Sequence, residues 1–69
     1  MDPIQELVEQ LKDPDPFKRR AAILVLRDLG PEAREALPAL RKAINDSDWC
    51  VAKLAAVALS YIKGEVQKR

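Results

Sequence analysis

Apolar residues recur at intervals of three and four along most of the chain, which is the spacing of one face of an α-helix. The pattern predicts a first helix from about Pro3 to Lys12, which is followed by a break rich in aspartate and proline. Further helices are predicted from Pro16 to about Leu29, from about Pro31 to Asn45, and from Trp49 to about Lys63. No segment alternates at period two as a half-buried strand would. The pattern therefore predicts an all-α fold.

Aspartates and glycines mark the ends of the second and fourth predicted helices. Asp15 and Asp48 are predicted N-caps, because a side-chain oxygen can accept a hydrogen bond from an N–H group of the first helical turn. Gly30 and Gly64 are predicted to end the same two helices, since glycine tolerates the left-handed conformation common after a last turn. We therefore expect these two helices to have sharp boundaries.

Proline interrupts the third predicted helix. Pro38 removes one helical hydrogen bond, so we expect a kink or a short first turn, with the main helix starting near Leu37. Leu37, Leu40 and Ile44 are predicted to form its buried stripe. The polar residues 65–69 are predicted to form a frayed tail.

The two halves of the chain match when the sequence is shifted by 33 residues. Apolar positions and breaks coincide without gaps; among the matched pairs are Leu7 with Leu40, Asp13 with Asp46, Asp15 with Asp48, Ala22 with Ala55, and Leu26 with Leu59. A fixed period in this range is typical of stacked helical repeats. We interpret the chain as one domain, 1–69, with repeats 1–33 and 34–66.

The segment from Asp13 to Gly30, DPDPFKRRAAILVLRDLG, resembles the second helix of the HEAT-like repeats in phycobilin-lyase-related proteins. The segments GPEA from Gly30 and LPAL from Leu37 are similar to the inter-repeat turn and first helix of that class. The resemblance implies an α-solenoid of two helical hairpins, four helices in all, that binds another protein. It does not identify the partner, because one fold hosts many functions.

The resemblance also implies a structural ladder between the repeats. In such repeats an aspartate of the turn within one repeat often bonds to an arginine in the second helix of the preceding repeat. Arg19 and Asp46 occupy these two positions here. We therefore expect Arg19 to bond to Asp46 or to its turn.

The predicted helices carry more apolar surface than two repeats can bury between them. Val51, Ala55, Ala58 and Ile62 are predicted to form the buried stripe of the fourth helix, flanked by Leu54 and Leu59. Apolar and aromatic residues remain outside such stripes, and we predict that they form a protein interface: Phe17, Leu24, Trp49, Cys50, Val57 and Tyr61. Because exposed apolar patches usually mark interaction sites, we expect self-association through the fourth helix, most simply as a dimer.

The composition argues against a catalytic or metal-binding function. The chain has 12 basic and 11 acidic residues, one Cys and no His. Without histidine or a second cysteine there is no common general base and no metal-binding cluster, so we expect no catalytic residue, metal, cofactor or small-molecule substrate. No apolar run approaches the length of a membrane span. With one cysteine and no export signal, a natural chain is expected in the cytosol. Its beginning with Met is also compatible with a designed scaffold. The role of Cys50 stays open.

Two alternatives remain open on sequence grounds. A basic face could bind nucleic acid, using the cations Lys18, Arg20, Arg41, Lys42 and Lys53, although the near-zero net charge argues against it. Alternatively, the chain is a piece of a longer scaffold whose next repeats cover the fourth helix.

Overall fold

The computed structural model describes residues 2–64, and all regular secondary structure within them is helical. Helix α1 spans Pro3–Gln10, α2 spans Pro16–Leu29, a 3₁₀ segment spans Gly30–Ala36, α3 spans Leu37–Ala43, and α4 spans Trp49–Lys63. The predicted all-α class is confirmed. The predicted tail, 65–69, lies outside the described residues.

The described helical residues form three uninterrupted runs, 3–10, 16–43 and 49–63. The prediction of four separated helices is therefore wrong at Gly30, where no non-helical stretch intervenes. Gly30 has φ +62° and ψ −139°, so the helix axis breaks there, yet 3₁₀ turns begin at once. Pro31 favours this continuation because its ring holds φ near the helical value.

Pro38 sets the boundary between the 3₁₀ segment and α3, which begins at Leu37 as predicted. Proline has no N–H to donate to the carbonyl of Arg34, four residues back. The N–H of Leu37 donates to that carbonyl instead, three residues back, and this is the bond of a 3₁₀ turn. The expected kink is thus a change of helix type.

The core lies where α2, the 3₁₀ segment and α3 pack against α4. Within residues 2–64 the buried side chains are all apolar: Ala22, Ile23, Leu26, Ala33, Ala36, Leu40, Ala43, Val51, Ala55, Ala58 and Ile62. The predicted buried stripe of α4 is confirmed, and Leu54 and Leu59 flank it as partly buried residues. Helix α1 covers the core with four partly buried residues, Ile4, Leu7, Val8 and Leu11, and exposes Gln5, Glu6 and Glu9.

The predicted stripe of the third helix is correct at Leu40, which is fully buried, and wrong at Ile44, which is 42% exposed. Helix α3 ends at Ala43, one residue before Ile44. The N–H of Asp46 donates to the carbonyl of Ala43, so the chain has already entered the next turn. The N–H of Ile44 still donates to the carbonyl of Leu40, but the buried face of α3 is that of Leu40 and Ala43, and Ile44 lies to one side of it.

We predict a large stability difference between two neighbouring truncations in this region. Leu40→Ala should lower the free energy of unfolding by about 2–5 kcal/mol, because it leaves a cavity in the core. Ile44→Ala, the matched control, should cost less than about 1 kcal/mol, because its side chain is largely solvated. Urea unfolding followed by circular dichroism measures both, and equal losses would contradict this description of the core.

Candidate protein-interaction face

Helices α2 and α4 pack side by side and present one continuous surface, which we call the α2/α4 face. Its α2 residues are Phe17, Arg20, Leu24 and Arg27, and its α4 residues are Trp49, Cys50, Lys53, Leu54, Val57 and Tyr61. Two arginines of α2 join the helices, because Arg20 lines a groove along α4 and Arg27 lies over the Tyr61 ring. Spacings of three and four residues place each set on one side of its helix.

A groove of about 300 Å³ lies on this face. The wall of this groove is almost entirely apolar, and most of it comes from α4. The groove is open to solvent and is lined by Arg20, Trp49, Cys50, Lys53, Leu54 and Val57. Such an apolar recess with few polar groups is typical of a binding site.

Each aromatic residue of the chain lies beneath a cation on this face. The Arg20 guanidinium carbon is 4.7 Å from the Phe17 ring centroid, and Lys53 Nζ is 4.9 Å from that of Trp49. The Arg27 guanidinium carbon is 6.0 Å from the Tyr61 ring centroid. These contacts fall within the range of cation–π attraction and hold the rings in place at the surface.

Of the six residues predicted as an interface, Trp49, Cys50 and Val57 line the groove, whereas Phe17, Leu24 and Tyr61 lie outside its lining. Phe17 and Trp49 are 69% and 71% exposed, Leu24 and Val57 are 37% and 36% exposed, and Cys50 and Tyr61 are half-buried. The predicted interface did not include Arg20, Lys53 and Leu54, which line the groove, or Arg27, which lies over the Tyr61 ring. The spacings Phe17–Arg20 and Trp49–Lys53, three and four residues, were the available signal, because such pairs are neighbours on a helix.

Asp46 and Arg19 lie at the turn that precedes α4. Arg19 Nη2 donates to Asp46 Oδ1 at 3.0 Å, and Arg19 Nε lies 2.9 Å from Asp46 Oδ2. The same guanidinium donates from Nη1 to the carbonyls of Asp13, at 2.7 Å, and Pro14, at 3.0 Å. Both side chains of the ion pair are only 14% exposed. Arg19 therefore links the turn before α2 to the turn before α4.

Asp48 caps α4 and also positions Arg20. Its Oδ1 accepts from the N–H of Val51 at 3.0 Å, and Arg20 Nη2 donates to Oδ2 at 3.0 Å. The Val51 hydrogen bond, followed by that from Arg20, lowers the pKa of Asp48 below its ordinary value. The hydrogen bond with Asp48 raises the pKa of Arg20. Arg20 thus stays charged and fixed at the edge of the groove.

The two aspartate turns use the same hydrogen bonds 33 residues apart. The N–H of Asp15 donates to Asp13 Oδ1 at 2.9 Å, and that of Asp48 donates to Asp46 Oδ1 at 2.8 Å. Asp15 Oδ1 then accepts from the N–H of Phe17 at 2.9 Å, as an N-cap of α2. This first turn places Phe17 at the start of its helix, and the second places Trp49 and Cys50 at the start of theirs.

Comparison with protein families identifies the repeats. A family model described as HEAT repeats matches residues 4–68. The chain belongs to the HEAT repeat family. Searches of curated proteins and of solved structures gave no match. HEAT repeats are generally non-catalytic scaffolds that mediate protein interactions, so this HEAT chain is a helical-repeat module of the protein-interaction type.

Residues 2–64 contain no cluster of three or more side chains able to hold a metal ion. None of the helices formed by these residues is long and apolar enough to cross a membrane.

We predict that Arg19→Lys destabilises the fold although it keeps the positive charge. A lysine ammonium cannot reproduce the fork of a guanidinium that reaches two carbonyls and a carboxylate at once. The loss should be about 1–3 kcal/mol in the free energy of unfolding, measured with urea. Arg41→Lys, on the exposed side of α3, is the matched control and should leave stability within about 0.5 kcal/mol.

We also predict that Asp48 contributes a pH-dependent part of stability. Because its folded pKa lies below the ordinary value of 3.8, the stabilisation is present above that value and is lost as pH falls through the folded pKa. Asp48→Asn keeps a capping oxygen but removes the charge opposite Arg20. The variant should be less stable than the unmodified chain at pH 7, and urea unfolding at pH 3 should give a smaller difference. An equal difference at both pH values would contradict this role.

Proposed function

We propose that this chain is a two-repeat HEAT solenoid that binds protein and self-associates through the α2/α4 face, most simply as a two-fold dimer. The observation that carries the proposal is the set of large apolar side chains exposed around one groove, namely Phe17, Leu24, Trp49 and Val57. Burying apolar surface is worth roughly 25 cal/mol per Å², so a partner that covers this face stabilises the chain.

The number of repeats supports the proposal. The matching hydrogen bonds of the turns at Asp13 and Asp46 favour two repeats with a 33-residue period, divided as 1–33 and 34–66. About three or more repeats are usually needed to bury a continuous core. Association of two copies would bring four repeats together, and the polar outer side of α1 would remain in solvent at each end.

The charges on the α2/α4 face also suit a second copy. Arg20 is paired with Asp48 at 3.0 Å, and Arg27 with Asp28 at 3.3 Å. Two such faces can approach each other because their guanidinium groups are already compensated within each chain. Near-zero net charge, +1 by composition, adds little repulsion between copies.

Nucleic-acid binding has weaker support. The five cations proposed for it, Lys18, Arg20, Arg41, Lys42 and Lys53, lie on three different helices. One of them, Arg20, already has a carboxylate partner. If a longer HEAT scaffold supplies the partner instead, further repeats would cover α4 in place of a second copy. A natural cytosolic chain and a designed scaffold are equally compatible with the proposed association.

We predict that Val57→Glu dissociates the oligomer. Val57 is partly exposed and lies in the groove wall, so a buried carboxylate in the interface would oppose association without removing core packing. Sedimentation at micromolar concentration should give an oligomer for the unmodified chain and a monomer for Val57→Glu, with a lower thermal midpoint, since association and stability are linked. Tyr61→Glu should act in the same direction.

Ile44→Glu is the matched control for this experiment. Ile44 is similarly exposed but lies beyond the end of α3 and outside the α2/α4 face. It should leave the oligomer intact, whereas a soluble monomer for the unmodified chain would refute self-association. In that case retention on single- or double-stranded DNA at low salt would favour the nucleic-acid alternative.

A further inference from the structure

A protruding ring and a recess lie side by side on the α2/α4 face. The Phe17 ring is 69% exposed and lies 4.7 Å from the Arg20 guanidinium carbon. Arg20 also lines the groove whose apolar wall includes Leu54 and Val57. Arg20 therefore adjoins both a potential anchor and a potential pocket in the same chain.

Two-fold symmetry would exchange these two features. In an isologous dimer, if a residue of the first copy contacts a site on the second copy, the same residue of the second copy contacts the same site on the first. An axis passing near Arg20 would carry Phe17 of each copy towards the groove of the other. A single axis at this position would bring both Phe17 rings to the two grooves.

Resting on the self-association proposed above, we propose that the dimer is held by reciprocal insertion of Phe17. The ring of each copy occupies the groove of the second copy, between the Trp49 ring and the side chains of Leu54 and Val57. The occupant is thus a second copy of this chain, engaged through the start of α2.

The size and lining of the groove suit a phenyl ring. A volume of about 300 Å³ is at the lower end for ligand pockets and leaves room for one large side chain. Trp49 offers an aromatic surface, and pairs of aromatic rings attract each other beyond the burial of their area. Aromatic side chains are enriched among the residues that dominate binding energy.

Charge is also complementary in this arrangement. Asp15 is exposed, and its carboxylate accepts a hydrogen bond from the N–H of Phe17. A negative charge therefore lies next to Phe17 where it would enter the second copy. Lys53 lines the receiving groove. The two Arg20 side chains nearest the axis each retain Asp48 at 3.0 Å, which limits their mutual repulsion.

The test measures dimer dissociation constants by sedimentation for Phe17→Ala and for Val25→Ala. Val25 is a second exposed apolar residue of α2, outside the α2/α4 face as defined. Phe17→Ala should weaken the dimer by at least about 30-fold, the effect of losing a dominant interface side chain, while Val25→Ala should stay within about threefold. Circular dichroism checks that both variants stay folded.

The only cysteine of the chain gives an independent readout at the groove. Cys50 is half-buried and lines the groove, so a ring inserted there should slow its alkylation by iodoacetamide. In the unmodified chain the alkylation rate should fall as protein concentration rises. In Phe17→Ala the rate should stay high at every concentration that is tested.

Mixing two variants tests reciprocity directly. Phe17→Ala keeps the groove and lacks the anchor, whereas Val57→Glu keeps the anchor and has a blocked groove. Neither should dimerise alone at micromolar concentration, but their mixture should form a heterodimer with one of the two contacts.

If the unmodified chain dimerises and Phe17→Ala dimerises equally well, reciprocal insertion is overturned and self-association stands. A mixture that stays monomeric overturns it in the same way. If the unmodified chain is monomeric and its Cys50 alkylation rate is independent of concentration, both proposals fail, and a different protein becomes the occupant to test for.

Discussion

Two consecutive arginines of α2, each paired with an aspartate of the turn before α4, fix the position of that turn relative to α2. Arg19 contacts Asp46 and Arg20 contacts Asp48, across 27 and 28 residues of sequence. Both aspartates also accept backbone hydrogen bonds that form the turn and start α4. The same carboxylates therefore shape a local turn and set its position relative to a distant helix.

Because Asp48 both caps α4 and pairs with Arg20, it fixes where the groove lies. Arg20 would be an ordinary solvated residue if Asp48 served only as a helix cap, but their pairing keeps its guanidinium at the edge of α4. Arg20 then contacts the Phe17 ring and lines the groove at the same time. The ion pairs are modest in energy because they are partly solvated, and their importance here is geometric.

The small size of the chain explains the apolar surface that remains. A domain of this length buries only ~60% of the surface of its unfolded chain, and much of its buried set is alanine. Large apolar residues such as Trp49 and Val57 consequently have no place in the interior. A helical repeat that exposes them beside a groove is suited to binding, and the family to which the chain belongs uses its surfaces in that way.

Local sequence alone determined the helical fold class, the caps at Asp15 and Asp48 and the buried stripe of α4. These features depend on interactions within one or two helical turns. Only the tertiary structure decided that helical turns continue through Gly30, that Ile44 is exposed, and that Arg20 joins Asp48 at the groove. The course of the chain at Gly30 depends on its φ and ψ, the exposure of Ile44 depends on which side of α3 is covered, and the Arg20–Asp48 pair depends on a contact across 28 residues. Periodicity within a single helix encodes none of these.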